Sequence, residues 1–200
     1  MQDMLDVLDR APALQMEVAD GVVIRAFGRC GYDFDWRTGT LCPHKLTPSQ
    51  TFRLGHIYRH ARSLGVKRVF APDGSTFTKQ IVGKNAFPKC VCNPDGTIRF
   101  FCGTYGDGVS LEPGDSAWIL NADCPVIVAW NTSAGQLVAA HAGRDCVIDR
   151  TPQRDTHYRS VVFEILKKLD GPRNDIFVLT TCGIAAQHFS HPFEHSRYGD

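Results

Sequence analysis

The sequence predicts a mixed α/β protein of α+β layers, folded as a single domain over residues 1–200. Three observations point there. Short runs rich in β-branched and aromatic residues recur along the chain, separated by Pro-Asp-Gly and Glu-Pro-Gly turns. Helical spacing is clear in only two stretches, each with its own stop signal. The chain has 200 residues, 43% of them hydrophobic and 22% charged, which suffices for a sizeable core and excludes collagen-like or low-complexity chains.

In chain order, the acidic stretch from Met4 to Leu8 reads as a short helix, and Gly21 to Phe27 as a strand. Thr47-Pro48-Ser49-Gln50 is a capping box with proline at the first helical position. Leu54, Ile57, Tyr58, Ala61 and Leu64 then recur at helical spacing until Gly65 stops the run. Strands are expected at Lys67–Ala71, Thr97–Cys102, Ser116–Leu120, Val126–Trp130, Leu137–Ala140 and Ile176–Thr180. Pro72-Asp73-Gly74, Pro94-Asp95-Gly96 and Glu112-Pro113-Gly114 punctuate them, and the loop from Asn131 to Gly135 reads as a hairpin turn. A second helix is expected from near Asp155. Its buried stripe is Tyr158, Val161, Val162, Ile165 and Leu169, and Gly171-Pro172 ends it.

Charge and cysteine usage exclude several classes. There are 22 Lys and Arg against 21 Asp and Glu, far from the basic excess of a nucleic-acid or anionic-membrane binder. No apolar run is long enough to span a bilayer. The N-terminal residues lack the basic-then-apolar order of a secretory signal, so the expected location is the cytoplasm. The eight cysteines are then expected as reduced, mostly buried thiols. Cys90-Val-Cys92, with Cys102 ten positions on, departs from zinc-knuckle spacing.

The chemistry concentrates in the middle of the chain. Asn121-Ala-Asp123-Cys124-Pro precedes the first hairpin strand, and Ala140-His141-Ala-Gly143 ends the second. Pairing strands of equal length sets Cys124 beside His141 at the open end. A thiol beside an imidazole can be an activated nucleophile. The same pair can instead be two ligands of a zinc or copper ion. It can also be a buried Cys near a structural His.

These residues resemble the central motif of the laccase-domain (YfiH-type) family, whose members are called polyphenol oxidase, purine nucleoside phosphorylase or peptidoglycan editing factor. Tyr105-Gly-Asp107-Gly108-Val resembles the Asp-containing segment upstream of the family's Asp-Cys. Thr180-Thr-Cys182-Gly183-Ile184 through Phe189 resembles a downstream stretch. The resemblance covers roughly residues 21 to 195 and is strongest from Gly106 to Gly143. It implies a mixed α/β layer fold shared with Cys–His deamidases, and a metal, zinc in preference to copper, held by one Cys and two His. Cys124 and His141 match two of these ligands. The third position falls in Gln80-Ile-Val82-Gly83, where valine replaces histidine. His188 or His191 is a substitute ligand or a surface histidine.

The resemblance implies phosphorolysis of purine nucleosides with orthophosphate, and adenosine deamination. Cys124, His141 and Asp123 are the catalytic candidates, though Asp123 can equally cap a loop. Gln80, Gly143, Arg144 and His188 fall on the substrate side. Arg144 begins the Arg-Asp-Cys146 that stands where the family has Trp-Arg-Gly, as a site guanidinium or a surface ion pair. The family's further C-terminal segments have no counterpart before Asp200, so part of the pocket is expected to be missing or rebuilt. Two other classes compete. One is a metal-free Cys–His hydrolase or deamidase, with Cys124 as nucleophile and His141 as base. The other is an inactive member acting as a binding module.

Overall fold

A computed structural model describes residues 14–18, 21–27, 45–73, 80–121, 124–147 and 160–181. The helix expected near Met4, and Cys30, Cys42, Asp123, Cys182, His188 and His191, lie outside them.

The capping box forms. Thr47 Oγ1 accepts from the Gln50 N–H at 3.2 Å, and Gln50 Oε1 accepts from the Thr47 N–H at 3.0 Å. It starts α1 (Pro48–Ser63), which buries Leu54, Ile57, Tyr58 and Ala61. Each such side chain stabilises the fold by about 1.5–3 kcal/mol for the larger apolar groups. Gly65, at φ +69°, takes the left-handed turn beyond the helix.

Below α1 lies a four-stranded sheet of β3 (Arg68–Phe70), β5 (Lys89–Cys92), β6 (Arg99–Cys102) and β8 (Asp115–Ala117), ordered β5-β6-β3-β8. Strand β3 runs parallel to both β6 and β8, while β5 and β6 are antiparallel. Strand alternation gives this sheet two apolar faces. Val69, Ala71, Val91, Phe100 and Cys102 pack on α1. Phe70 and Phe101 point the other way and stack at 4.7 Å between ring centroids.

The second face meets a five-stranded sheet. Its members are β4 (Ile81–Gly83), β7 (Gly108–Leu111), β9 (Val126–Asn131), β10 (Gln136–His141) and β11 (Ile176–Thr180), ordered β11-β9-β10-β7-β4. All pairs are antiparallel except β4 with β7. Val82, Val109 and Leu111 pack against Phe70, closing the space between the sheets. On the far side, Ile81, Ile127, Ala129, Val138 and Ala140 meet Cys146 of the one-turn helix α2 (Arg144–Val147). They also meet Val161 and Ile165 of α3 (Val161–Lys167), and Leu169 beyond it. The layer order is therefore α, β, β, α, which bears out the mixed α/β class. A ribbon of β1 (Leu14–Val18) and β2 (Val22–Ala26) adds Val18, Val22 and Ile24 against Val128, Trp130 and Ala139.

Some expectations need correction. Asp155 and Tyr158, where the second helix is expected to start, lie outside the described residues, and within them the helix does not reach back past Val161. Ser160 is extended, at φ −124°, and its Oγ caps the Phe163 N–H at 3.3 Å, so helix geometry begins at Val161. Val162 is exposed rather than in the buried stripe, because only Val161 and Ile165, one turn apart, face the sheet. Strand β8 is shorter and begins earlier than Ser116–Leu120, since only Asp115–Ala117 pair with β3. Cys90 and Cys92 are exposed, not buried. Among the described residues no helix is long and apolar enough to cross a membrane.

Between α1 and the ribbon sits a cluster of rings from Phe27, His56, His60 and Trp118. The Arg25 guanidinium lies 3.1 Å from His60 Nδ1 and donates to Ser63 Oγ at 2.7 Å, tying β2 to α1. His56 is fully buried, and burial, then the neighbouring His60 and Arg59, hold it down to about 4. His60 is shifted the same way by burial and Arg25.

Candidate functional site

The five-stranded sheet sets one row of residues at its open end. The Asp107 N–H donates to the Gln80 carbonyl at 3.0 Å, and the His141 N–H donates to the Asp107 carbonyl at 2.7 Å. His141 is also paired with Val126, and the Ala142 N–H donates to the Pro125 carbonyl at 2.8 Å. The row thus brings Gln80, Asp107 and His141 level, with Cys124 directly beyond the last hairpin rung. The turn holding Cys124 is closed twice: its N–H donates to the Asn121 carbonyl at 2.8 Å, and Asn121 Nδ2 donates back to the Cys124 carbonyl at 2.7 Å.

Two glycines permit this convergence. A Cβ on Gly108 would lie 2.5 Å from Ala140 Cβ and 2.6 Å from the Ala139 carbonyl oxygen, so β7 approaches β10 closely only as glycine. A Cβ on Gly143 would lie 2.9 Å from His141 Cε1, 3.3 Å from Nε2 and 3.5 Å from Cys124 Sγ. The imidazole and the Cys124 thiol therefore both rest against the bare Cα of Gly143.

The His141 ring lies between two groups. Nδ1 faces the Asp107 carboxylate, with Oδ1 at 3.8 Å, while the Cε1–Nε2 edge lies against Gly143, which Cys124 Sγ also approaches. Asp107 is fully buried and His141 nearly so; Cys124 is half-buried. A buried carboxylate is costly unless it is paired. Here Cys146, itself fully buried on α2, hydrogen-bonds to it. Burial, then the Asp107 charge and that hydrogen bond, push the Cys146 thiol up to about 12.

Asp107, His141 and Cys146 form a buried group that could hold a metal ion, their ligand atoms all within 4.8 Å of one another. Carboxylate, imidazole and thiol are the donor types zinc uses; tetrahedral geometry with these bond lengths sets donors about 3.2–3.8 Å apart, so the group would draw together on binding. Three protein ligands with a fourth position open is the catalytic pattern for zinc. The expected pair of ligands was Cys124 and His141; the compact group instead joins His141 to Asp107 and Cys146.

The remaining candidates fall as follows. Gln80 is exposed, and its carbonyl rather than its side chain meets Asp107 and Gly108. Gly143 is at the centre of the site, and Arg144 opens α2. Val82 shares His141's face of the sheet, two residues along from the Asp107 row, and packs with Phe70, Val109 and Leu111. Sequence reasoning did not assign site roles to Asp107 and Cys146. The available signal was Gly106-Asp107-Gly108, an acid flanked by residues that let strands approach. No protein-family model matches the chain, and no curated protein matches it.

Proposed function

We propose that this chain is a purine nucleoside phosphorylase and adenosine deaminase of the laccase-domain type. The observation that supports the reading most is the meeting of Asp107, Cys124, His141 and Gly143, all quoted in that resemblance, around a single imidazole. In phosphorolysis, an orthophosphate oxygen bonds to ribose C1′ as the C1′–N9 bond breaks. The bonding pair leaves with the purine, and His141 Nε2–H donates the proton that the base takes up. In deamination, water adds at purine C6 and ammonia departs, with the same nitrogen moving the proton. The Asp107 carboxylate lies on the Nδ1 side of the ring, so a metal ion held by Asp107, Cys146 and that side of His141 would leave Nε2 for the proton. A metal ion, zinc in preference to copper for this mixed O, N and S donor set, would supply a Lewis acid and a more acidic water.

The test is chromatographic product analysis with adenosine, inosine and methylthioadenosine, with and without orthophosphate, on the protein and on His141→Ala. The reading expects free purine only when phosphate is present, inosine from adenosine without it, and loss of both in the variant. Nucleosides returned unchanged by zinc-loaded protein would overturn it.

The order Asp107, His141, Cys124 favours a second reading, a metal-free Cys–His hydrolase or deamidase. His141 Nε2 takes the Cys124 proton and the thiolate adds to a carboxamide carbon. Ammonia leaves with a proton from the imidazolium, and water then hydrolyses the thioester. Under that reading a carboxamide substrate traps an acyl group on Cys124, seen by peptide mass mapping.

A further inference from the structure

We propose that Cys90 and Cys92 form a surface two-thiolate site for a soft monovalent cation of the cuprous class, separate from the His141 site. The two residues sit at alternate positions of β5, the edge strand in the order β5-β6-β3-β8. Val91 between them is buried in the core, and its carbonyl accepts from the Tyr58 hydroxyl at 3.0 Å. That anchor turns both neighbouring thiols to the same, exposed side.

The hairpin behind them is fixed. The Ile98 N–H donates to Asn93 Oδ1 at 2.9 Å, and Gly96 makes the turn at φ +70°. Register puts Arg99 opposite Cys92 on the exposed face. Cys102 is opposite Lys89, fully buried on the α1 side, so it adds no third ligand.

Geometry selects the ligand. Alternate residues of a strand are separated by about 6.4–6.8 Å between Cα atoms. That is the outer limit for an unstrained disulfide, for which the usual range is about 4.4–6.8 Å. A bridging ion needs no such contraction. Zinc requires three or four protein ligands, whereas soft thiolates select Cu(I) and two suffice for it. On binding, two S–H bonds give way to two S–metal bonds, and two protons pass to solvent. One monovalent cation on two thiolates leaves a single negative charge, which Arg99 faces.

The experiment loads the full chain anaerobically with about one equivalent of cuprous ion as its acetonitrile complex, buffered by a cuprous chelator. Iodoacetamide labelling and peptide mass mapping follow. In the wild type, Cys90 and Cys92 should be protected together, by at least tenfold in labelling rate. In Cys90→Ser, Cys92 should label at its metal-free rate, and in Cys92→Ser, Cys90 should do so. Both substitutions are at exposed positions, and unchanged far-ultraviolet circular dichroism confirms folding. Protection of Cys92 that survives Cys90→Ser, or free labelling of both thiols in the loaded wild type, overturns the proposal. A Cys90–Cys92 disulfide formed readily with glutathione disulfide in place of metal protection overturns it too.

Discussion

Replacing Gly143 by alanine adds one methyl group where the site is most crowded. Its Cβ would meet His141 Cε1 at 2.9 Å and Nε2 at 3.3 Å, with Cys124 Sγ at 3.5 Å. Carbon atoms in contact prefer about 3.5–4.0 Å, so the ring must withdraw by several tenths of an ångström. The atoms in the way belong to side chains, and the ring can tilt. Overpacking of this kind costs about 1–3 kcal/mol. Alanine recovers about 0.4–1 kcal/mol by restricting the unfolded chain, so the net loss of stability should be about 1–2 kcal/mol. The tilt moves Nδ1 relative to Asp107; since about 1 Å of displacement of a positioned catalytic group can cost on the order of 100-fold in rate, several tenths should cost about tenfold. Turnover of the Gly143→Ala protein should therefore fall far more than its melting temperature. Gly108→Ala should behave oppositely: its Cβ meets backbone and Ala140 at 2.5–2.6 Å, so folding itself should suffer, by about 3 kcal/mol or more. The paired measurements are kcat/KM and thermal melting on both variants. Full activity in Gly143→Ala would refute the crowding argument.

Two further outcomes are expected. The chain should lose stability in mild acid. Folded His56 titrates near 4 and its unfolded counterpart near 6.5, so the unfolded chain binds the proton first as pH falls between those values. The loss should reach up to about 3 kcal/mol, and His56→Gln should flatten the urea-midpoint profile across that window; an unchanged slope would count against the burial of His56. Cys124 should be the reporter of a metal beside it: iodoacetamide labelling of Cys124, mapped by mass spectrometry, should quicken when a chelator is added to zinc-loaded protein. Rapid labelling that ignores the chelator would favour the thiolate-nucleophile reading instead.

What was legible in the sequence is what is local. The Thr47–Gln50 capping box is made of neighbours in the chain, and so is the hairpin that carries Cys124 and His141. Its register follows from two strands of equal length and a glycine turn, with Gly135 at φ +61°. What was not legible depends on distant partners. Strands β4, β5 and β7 have only three or four residues, too few for a periodic signal, and exist because other strands pair with them. Asp107 reaches His141 only through the β7–β10 pairing, and Cys146 reaches Asp107 only because α2 turns back across the sheet end. The start of α3 was misplaced because Ser160, a strong capping residue, outcompetes the apolar spacing that continues upstream of it.

A metal-dependent centre makes nucleoside turnover depend on zinc. Protein stripped by a chelator should be titrated with zinc while purine release from inosine and orthophosphate is followed. Turnover should rise with zinc and saturate near one equivalent, and should be absent at every zinc level in Cys146→Ser, Asp107→Asn and His141→Ala. Turnover indifferent to zinc, or retained in Cys146→Ser, would contradict a metal-dependent centre built on Asp107, His141 and Cys146.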